Sequence, residues 1–61
     1  MEEQWEVTIE DVDDEAWWEE HVSAMEVDEA KQRALAAIRE HHPEASGHQL
    51  VITSVRQIWR L

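Results

Sequence analysis

Histidine and carboxylate side chains are the residues of this chain that could bind a metal. The 61 residues include four His and fifteen Asp or Glu. A metal site on a helix needs ligands on one face, in patterns such as HxxxH or HxxE, and neither pattern occurs on a helix here. His41 and His42 are adjacent, so on a helix their side chains diverge by about 100°. His21 and His48 are far from them in the sequence. We therefore expect no metal site and no cofactor.

The residue types and their spacing also do not indicate a catalytic site. General acid–base catalysis needs a carboxyl group whose pKa is displaced by an apolar pocket. Glu20, close to Trp18, comes nearest to this, and we interpret it as a residue at the rim of the core. The single Gly excludes a Gly-rich phosphate-binding loop. The acidic segment 11–15 lacks the Asp-x-Asp-x-Asp-Gly frame of a calcium loop. The expectation is a protein that is not an enzyme and has no catalytic residues.

The acidic residues are concentrated at the start of the chain. Residues 1–20 contain ten acids and no Lys or Arg, whereas residues 21–61 contain five acids and five bases. The net charge of −10 therefore arises entirely from the first segment. Such a charge argues against direct binding to nucleic acid or to an anionic membrane. It favours a basic protein surface as the partner.

One helix is predicted over residues 26–41. Val27, Ala30, Ala34 and Ile38 recur there at spacings of three and four and form one apolar stripe, which His41 continues at the end. Pro43 disfavours helical geometry at His42, which ends the helix. Ser23 and Glu26 also fit a capping box that would begin the helix earlier. We prefer the later start, because the residues before it continue a strand pattern.

Three strands are predicted at about residues 4–11, 16–24 and 49–59. Apolar and polar residues alternate in the first, and the third is rich in β-branched residues. In the second, Glu20 falls on the apolar face, so it lies at the rim or the strand contains a bulge. A shift in the alternation of the third strand indicates another bulge near Thr53–Ser54.

These elements predict a single α+β domain over residues 1–61, with the order β-β-α-β. A short connection makes the first two strands an antiparallel hairpin. A right-handed crossover then favours a three-stranded antiparallel sheet in the order 2-1-3, with the helix packed on one face. The expected core consists of Trp5, Val7, Ile9, Trp18, Val22, Val27, Ala30, Ala34, Ile38, Leu50, Ile52 and Val55.

Two tryptophans have no place in this core. Alternation points Trp17 away from the helix, and Trp59 lies near the end of an edge strand. Exposed Trp is common in interfaces, because it contributes a large contact area at a low entropic cost. The alternative is a strand shifted by one residue, which would place Trp17 in the core. The expected partner-binding residues are Glu10, Asp11, Asp13, Asp14, Glu15, Trp17, Glu19 and Trp59.

Location and family follow from composition and from short motifs. The chain has no Cys, no apolar run long enough to span a membrane and an acidic start, which predicts a cytoplasmic protein. Its segments Val22–Ala24, Asp28–Ala30, Ala34–Leu35, His42–Ala45 and Ser54–Val55 resemble those of small uncharacterised acidic β-β-α-β proteins of actinobacterial phages. The resemblance implies a phage accessory role, in the cytoplasm of the host cell, and no catalytic residues.

Two function classes remain. The first is a small acidic interaction protein, such as a phage accessory factor or inhibitor, that binds a basic protein surface and in its most specific form mimics DNA. The second is a self-associating structural or capsid-associated protein. A homodimer is expected because the core is small and the two tryptophans lack core partners.

Overall fold

The computed structural model describes residues 1–58, which fold in the order β-β-α-β. The strands are β1 (Glu3–Asp11), β2 (Ala16–Ala24) and β3 (Leu50–Ile58). Helix α1 (Val27–His41) and a 3-10 turn (Pro43–Ala45) connect β2 to β3. Trp59, expected at the end of the third strand and as a partner-binding residue, lies outside the described residues.

The sheet has three antiparallel strands in the order β2-β1-β3, so the predicted α+β fold is confirmed. β1 pairs with β2 without interruption, from Glu3 opposite Ala24 to Asp11 opposite Ala16. The strand therefore has no bulge at Glu20, which lies on the helix side of the sheet. Its carboxylate Oε1 is 3.5 Å from Nδ1 of His41 on α1, at the rim of the core.

β3 contains the irregularity that its sequence pattern predicts. Thr8 of β1 pairs with Ser54, and the next residue, Ile9, pairs with Ile52. Thr53 is therefore the extra residue of a β-bulge. The bulge keeps both Ile52 and Val55 on the helix side of the sheet, although they are three residues apart.

The helix begins at Val27, as the later start predicts. Glu26 occupies the N-cap position without a side-chain capping hydrogen bond. Ser23 forms no capping box, because its hydroxyl oxygen accepts a hydrogen bond from Gln4 Nε2 at 2.7 Å. At the other end, the ring of His42 stacks on Trp18, with 4.5 Å between ring centroids. Within residues 1–58 no helix has the length and apolar character needed to cross a membrane.

The core lies between α1 and one face of the sheet. Its fully buried apolar residues are Val7, Ile9, Ala24, Ala30, Ala34, Ile38 and Ala45. The partly buried residues around it are Trp5, Trp18, Val22, Leu35, Leu50, Ile52 and Val55. The expectation that Val27 is a core residue is wrong, since it is 41% exposed. Ala24, the last residue of β2, and Ala45, the last residue of the 3-10 turn, are buried on either side of α1. They complete the core, and Val27 is not part of it.

Candidate protein-interaction surface

The face of the sheet opposite α1 is not covered by any element of residues 1–58. We call it the open face. By strand alternation and register it carries Gln4, Glu6, Thr8, Glu10, Trp17, Glu19, His21, Ser23, Val51, Ser54, Arg56 and Ile58. The shift that would bury Trp17 does not occur: Trp18 packs against the core, and Trp17 is 63% exposed.

A row across the three strands places Trp17 beside an acid. Glu10 on β1 is opposite Trp17 on one side and opposite Val51 on the other. Val51 is also exposed, at 39%. Glu19 follows Trp17 by two residues on the same face of β2. Within the described residues the carboxylates of Glu10 and Glu19 form no hydrogen bond or ion pair, and that of Glu19 lies within 4.8 Å of the His21 ring nitrogen. This end of the open face therefore combines a large aromatic surface with uncompensated negative charge.

The other end of the open face is already neutralised within the protein. Arg56 Nη2 donates to Glu6 Oε1 at 2.6 Å, and His21 Nε2 lies 3.2 Å from Glu6 Oε2. The hydrogen bond from Arg56, and then the one from His21, hold the pKa of Glu6 below its usual value although partial burial opposes this. The Arg and the His of this face are therefore directed to Glu6, away from Glu10.

Asp11, expected to contact a partner, is instead fully buried and bonded within the protein. Its Oδ1 accepts hydrogen bonds from the backbone N–H groups of Asp13 and Asp14 at 3.1 and 3.2 Å. Its Oδ2 accepts one from His48 Nδ1 at 2.8 Å. Alternation from Val7 and Ile9 explains this position, since Asp11 is the next residue on the helix side of β1. Asp11 therefore has no surface to offer a partner.

The pKa values of Asp11 and His48 are shifted by the burial, the hydrogen bonds and the charges of this pair. Burial raises the pKa of Asp11, but the hydrogen bonds from His48, Asp14 and Asp13, together with the charge of His48, outweigh it, and the pKa is lowered. The hydrogen bond to Asp11 raises the pKa of His48, against the effect of burial and with help from the nearby charges of Asp11, Asp13 and Asp14. The two shifts favour an ionised carboxylate and a protonated imidazole.

The loop between β1 and β2 is attached to the start of β3. Asp13 Oδ2 accepts a hydrogen bond from the backbone N–H of Gln49 at 2.7 Å, and the N–H of Val12 donates to the Gln49 carbonyl at 3.1 Å. Glu15 closes the loop in the left-handed region, with φ of 52°. Asp13, Asp14 and Glu15, three of the predicted partner-binding residues, are exposed there. The loop thus presents acids from a backbone that hydrogen bonds hold in place.

Two groups of carboxylates and histidines were missed by a search for helical metal spacings. Glu6, Glu19 and His21 form one group, and Asp11, Asp13 and His48 form the other; in each, the potential ligand atoms lie within 4.8 Å of one another. The register of β1 and β2 brings the first group together. The second group forms because the segment before β3, which contains His48, lies beside the end of β1. In each group the histidine already lies within hydrogen-bond distance of one carboxylate, Glu6 in the first and Asp11 in the second.

Comparisons with protein-family models, with curated proteins and with solved structures yield no match to this chain. The interpretation of the open face consequently depends on its geometry and charge.

Proposed function

We propose that the protein is a small, non-catalytic interaction module whose open face binds a basic protein surface. The observation that carries this proposal is the exposed indole of Trp17, set on a paired strand beside Glu10 and Glu19, two carboxylates that form no ion pair within residues 1–58.

The position of Trp17 suits it to be the anchor of an interface. Its strand is paired along its full length with β1, so the indole is presented from a fixed backbone. A large aromatic that is already ordered loses little entropy on binding and can bury a large area. Val51, on the far side of Glu10, extends the apolar part of the contact.

The charge around Trp17 selects the partner. A Lys or Arg side chain can lie over the indole ring in a cation–π contact while its charged group pairs with a neighbouring carboxylate. Glu10 and Glu19 are placed for the second role, and the acids of the β1–β2 loop add a longer-range attraction. Such charges accelerate encounter and orient the partner more than they add affinity.

A role as a phage accessory protein or inhibitor fits this surface. A small acidic protein that covers the basic face of another protein blocks whatever that face binds. Where that face binds nucleic acid, the carboxylates of β1 and β2 stand in for backbone phosphates, which makes the protein a DNA mimic. This activity would take place in the host cytoplasm and needs no cofactor.

Defined peptides test the proposal without knowledge of the natural partner. Nona-arginine and nona-glutamate peptides are titrated into the protein by calorimetry, at about 50 mM and about 300 mM salt, so that screening differs strongly. We expect binding of the arginine peptide alone, and weaker binding at the higher salt. A Glu10→Gln, Glu19→Gln double variant should lower the affinity about tenfold, which corresponds to about 1.4 kcal/mol. Trp17→Ser alone should lower the affinity for the arginine peptide more than the double variant does.

The matched control removes two acids elsewhere. Glu40→Gln and Glu44→Gln change the net charge equally, but at the C-terminal end of α1 and in the following turn, away from the open face. If the control pair weakens binding as much as the open-face pair, the attraction is only that of the overall charge and the proposed surface is wrong. Binding of the arginine peptide that is unchanged by Trp17→Ser would likewise eliminate Trp17 as the anchor.

A further inference from the structure

We propose that the free edge of β3 pairs with β3 of a second copy of this chain. The pairing is antiparallel and joins the two sheets into one sheet of six strands. It uses a different surface from the open face and does not depend on the proposed function.

β3 carries only two of the features by which proteins usually protect a sheet edge, the bulge at Thr53 and the charge of Arg56. β1 pairs with one side of it, and within the described residues nothing pairs with the other. Its nine residues contain no acid and no Pro, and five are β-branched: Val51, Ile52, Thr53, Val55 and Ile58. Protected edges are commonly short, or carry Pro, several charged side chains, bulges or inward-facing charges. A nine-residue edge of this composition is suited to accept another strand.

The opposite edge, β2, is unsuited to the same pairing. Its central residues are Glu19 and Glu20, and antiparallel pairing of two identical strands brings their central residues face to face. Like charges opposite one another destabilise a strand pair. For a chain with a net charge of −10, β3 is the edge at which two copies meet without opposed carboxylates. This charge distribution favours β3 over β2 as the edge through which a second copy joins.

The position of the helix adds an apolar contribution to the β3 edge. α1 packs mainly against β2 and much less against β3. Leu50, Ile52 and Val55, on the helix side of β3, consequently remain only partly buried. Antiparallel pairing about a two-fold axis perpendicular to the sheet puts both helices on the same side. The two rows of partly buried residues then become neighbours and cover one another.

Other features of β3 are compatible with this arrangement. The bulge at Thr53 bends the strand, and regular residues remain on both sides of it for pairing. Arg56 donates to Glu6 on its own β1, so its charge is compensated within one copy. The two-fold axis also puts both open faces on one side of the sheet, which would give the dimer two binding surfaces for the same partner.

Sedimentation velocity over a range of protein concentrations tests the pairing. We expect the parent to sediment with twice the mass of one chain and to dissociate on dilution. Ser54 is the central residue of β3 and exposed, so Ser54→Glu places two carboxylates near the two-fold axis and should yield a monomer. Gln32→Glu adds the same charge on the exposed face of α1 and should remain dimeric, as should Trp17→Ser. Ser54→Lys should also be monomeric, which separates edge repulsion from net charge.

Salt and amide exchange provide measurements that need no variant. Higher salt screens the repulsion between two acidic copies, so it should strengthen the dimer while it weakens binding of the arginine peptide. The amides of β3 should exchange more slowly at high protein concentration, whereas those of β2 should not change. If a Ser54 variant fails to fold, this exchange pattern decides the question. A parent that is monomeric throughout, or a dimer in which β2 gains the protection, overturns the proposal.

Discussion

The carboxylate of Asp11 is buried although it belongs to the most acidic part of the sequence. A buried charge is costly unless hydrogen bonds and an opposite charge compensate it. Asp11 has both, because two backbone N–H groups of the β1–β2 loop and the ring of His48 donate to it. One side chain thereby connects the hairpin loop to His48, two residues before β3, and its role is structural.

The Asp11–His48 pair should make stability depend on pH in a defined direction. The lowered pKa of Asp11 means that its contribution is complete above about pH 3.9 and is lost as the pH falls through the lowered value. The raised pKa of His48 means that its contribution is complete below about pH 6.5 and is lost as the pH rises through the raised value. The pair should therefore stabilise most between these limits.

Urea unfolding of the parent and of His48→Gln measures this contribution. We expect the difference in free energy of unfolding to be largest near pH 5.5 and clearly smaller near pH 9, since the protonated imidazole is then lost. His21→Gln is the comparison, because it removes a histidine–carboxylate pair whose histidine side chain is 64% exposed and which should contribute less than the buried pair. A difference that stays constant over this pH range would show that His48 acts through its shape and not through its charge.

Among the elements, α1 depends on a narrow apolar stripe. Its fully buried residues are two alanines and Ile38, so Ile38 provides most of the side-chain volume that the helix contributes to the core. Glu26 at the N-cap forms no capping hydrogen bond, which leaves packing against the sheet as the main source of helix stability.

Ile38→Ala should therefore destabilise the fold strongly. The expected loss is about 2–5 kcal/mol, because the substitution removes buried methyl groups and leaves a cavity. Chemical denaturation at the pH of maximal stability measures it. Gln32→Ala, on the exposed face of α1, should change stability by less than about 0.5 kcal/mol. Equal midpoints for the parent and Ile38→Ala would contradict the observed core.

At the scale of the whole molecule, negative charge is unevenly compensated. Of the ten acids in residues 1–20, four lie within ion-pair distance of a base or histidine of the described part of the chain: Glu2 with Arg33, Glu6 with Arg56 and His21, Asp11 with His48, and Glu20 with His41. The remaining six include Glu10 and Glu19 of the open face. Repulsion among uncompensated charges opposes the compact state.

Added salt should consequently raise the thermal stability of the parent. Screening over a Debye length of about 10 Å at 0.1 M salt, and less at higher salt, reduces this repulsion. Circular dichroism melts at about 20 mM and about 300 mM sodium chloride compare the two conditions. The Glu10→Gln, Glu19→Gln variant should be more stable at low salt and less sensitive to salt. A parent whose melting temperature falls as salt increases would indicate that ion pairs outweigh the repulsion.

Local patterns in the sequence were sufficient for the elements and the topology. A period of two in the strands, a period of 3.6 in the helix and Pro43 after it are properties of neighbouring residues. The β-β-α-β order, the strand order β2-β1-β3, the bulge at Thr53–Ser54 and the outward direction of Trp17 all follow from them. Each depends on spacing within one element or on a handedness rule common to such folds.

The pairing of charges was decided by the tertiary structure. Runs of acids in the sequence look alike, yet Asp11 is buried against His48, Glu6 is neutralised by Arg56, and Glu10 is left exposed beside Trp17. Those differences depend on which residues of β3 and of the loop before it lie opposite β1, a register that pairs residues up to 54 positions apart, Gln4 with Ile58. Burial of Ala24 and Ala45 in place of Val27 likewise depends on how the helix sits on the sheet. Such long-range contacts decide which charges can meet a partner, because desolvation and hydrogen bonding depend on spatial neighbours and not on sequence neighbours.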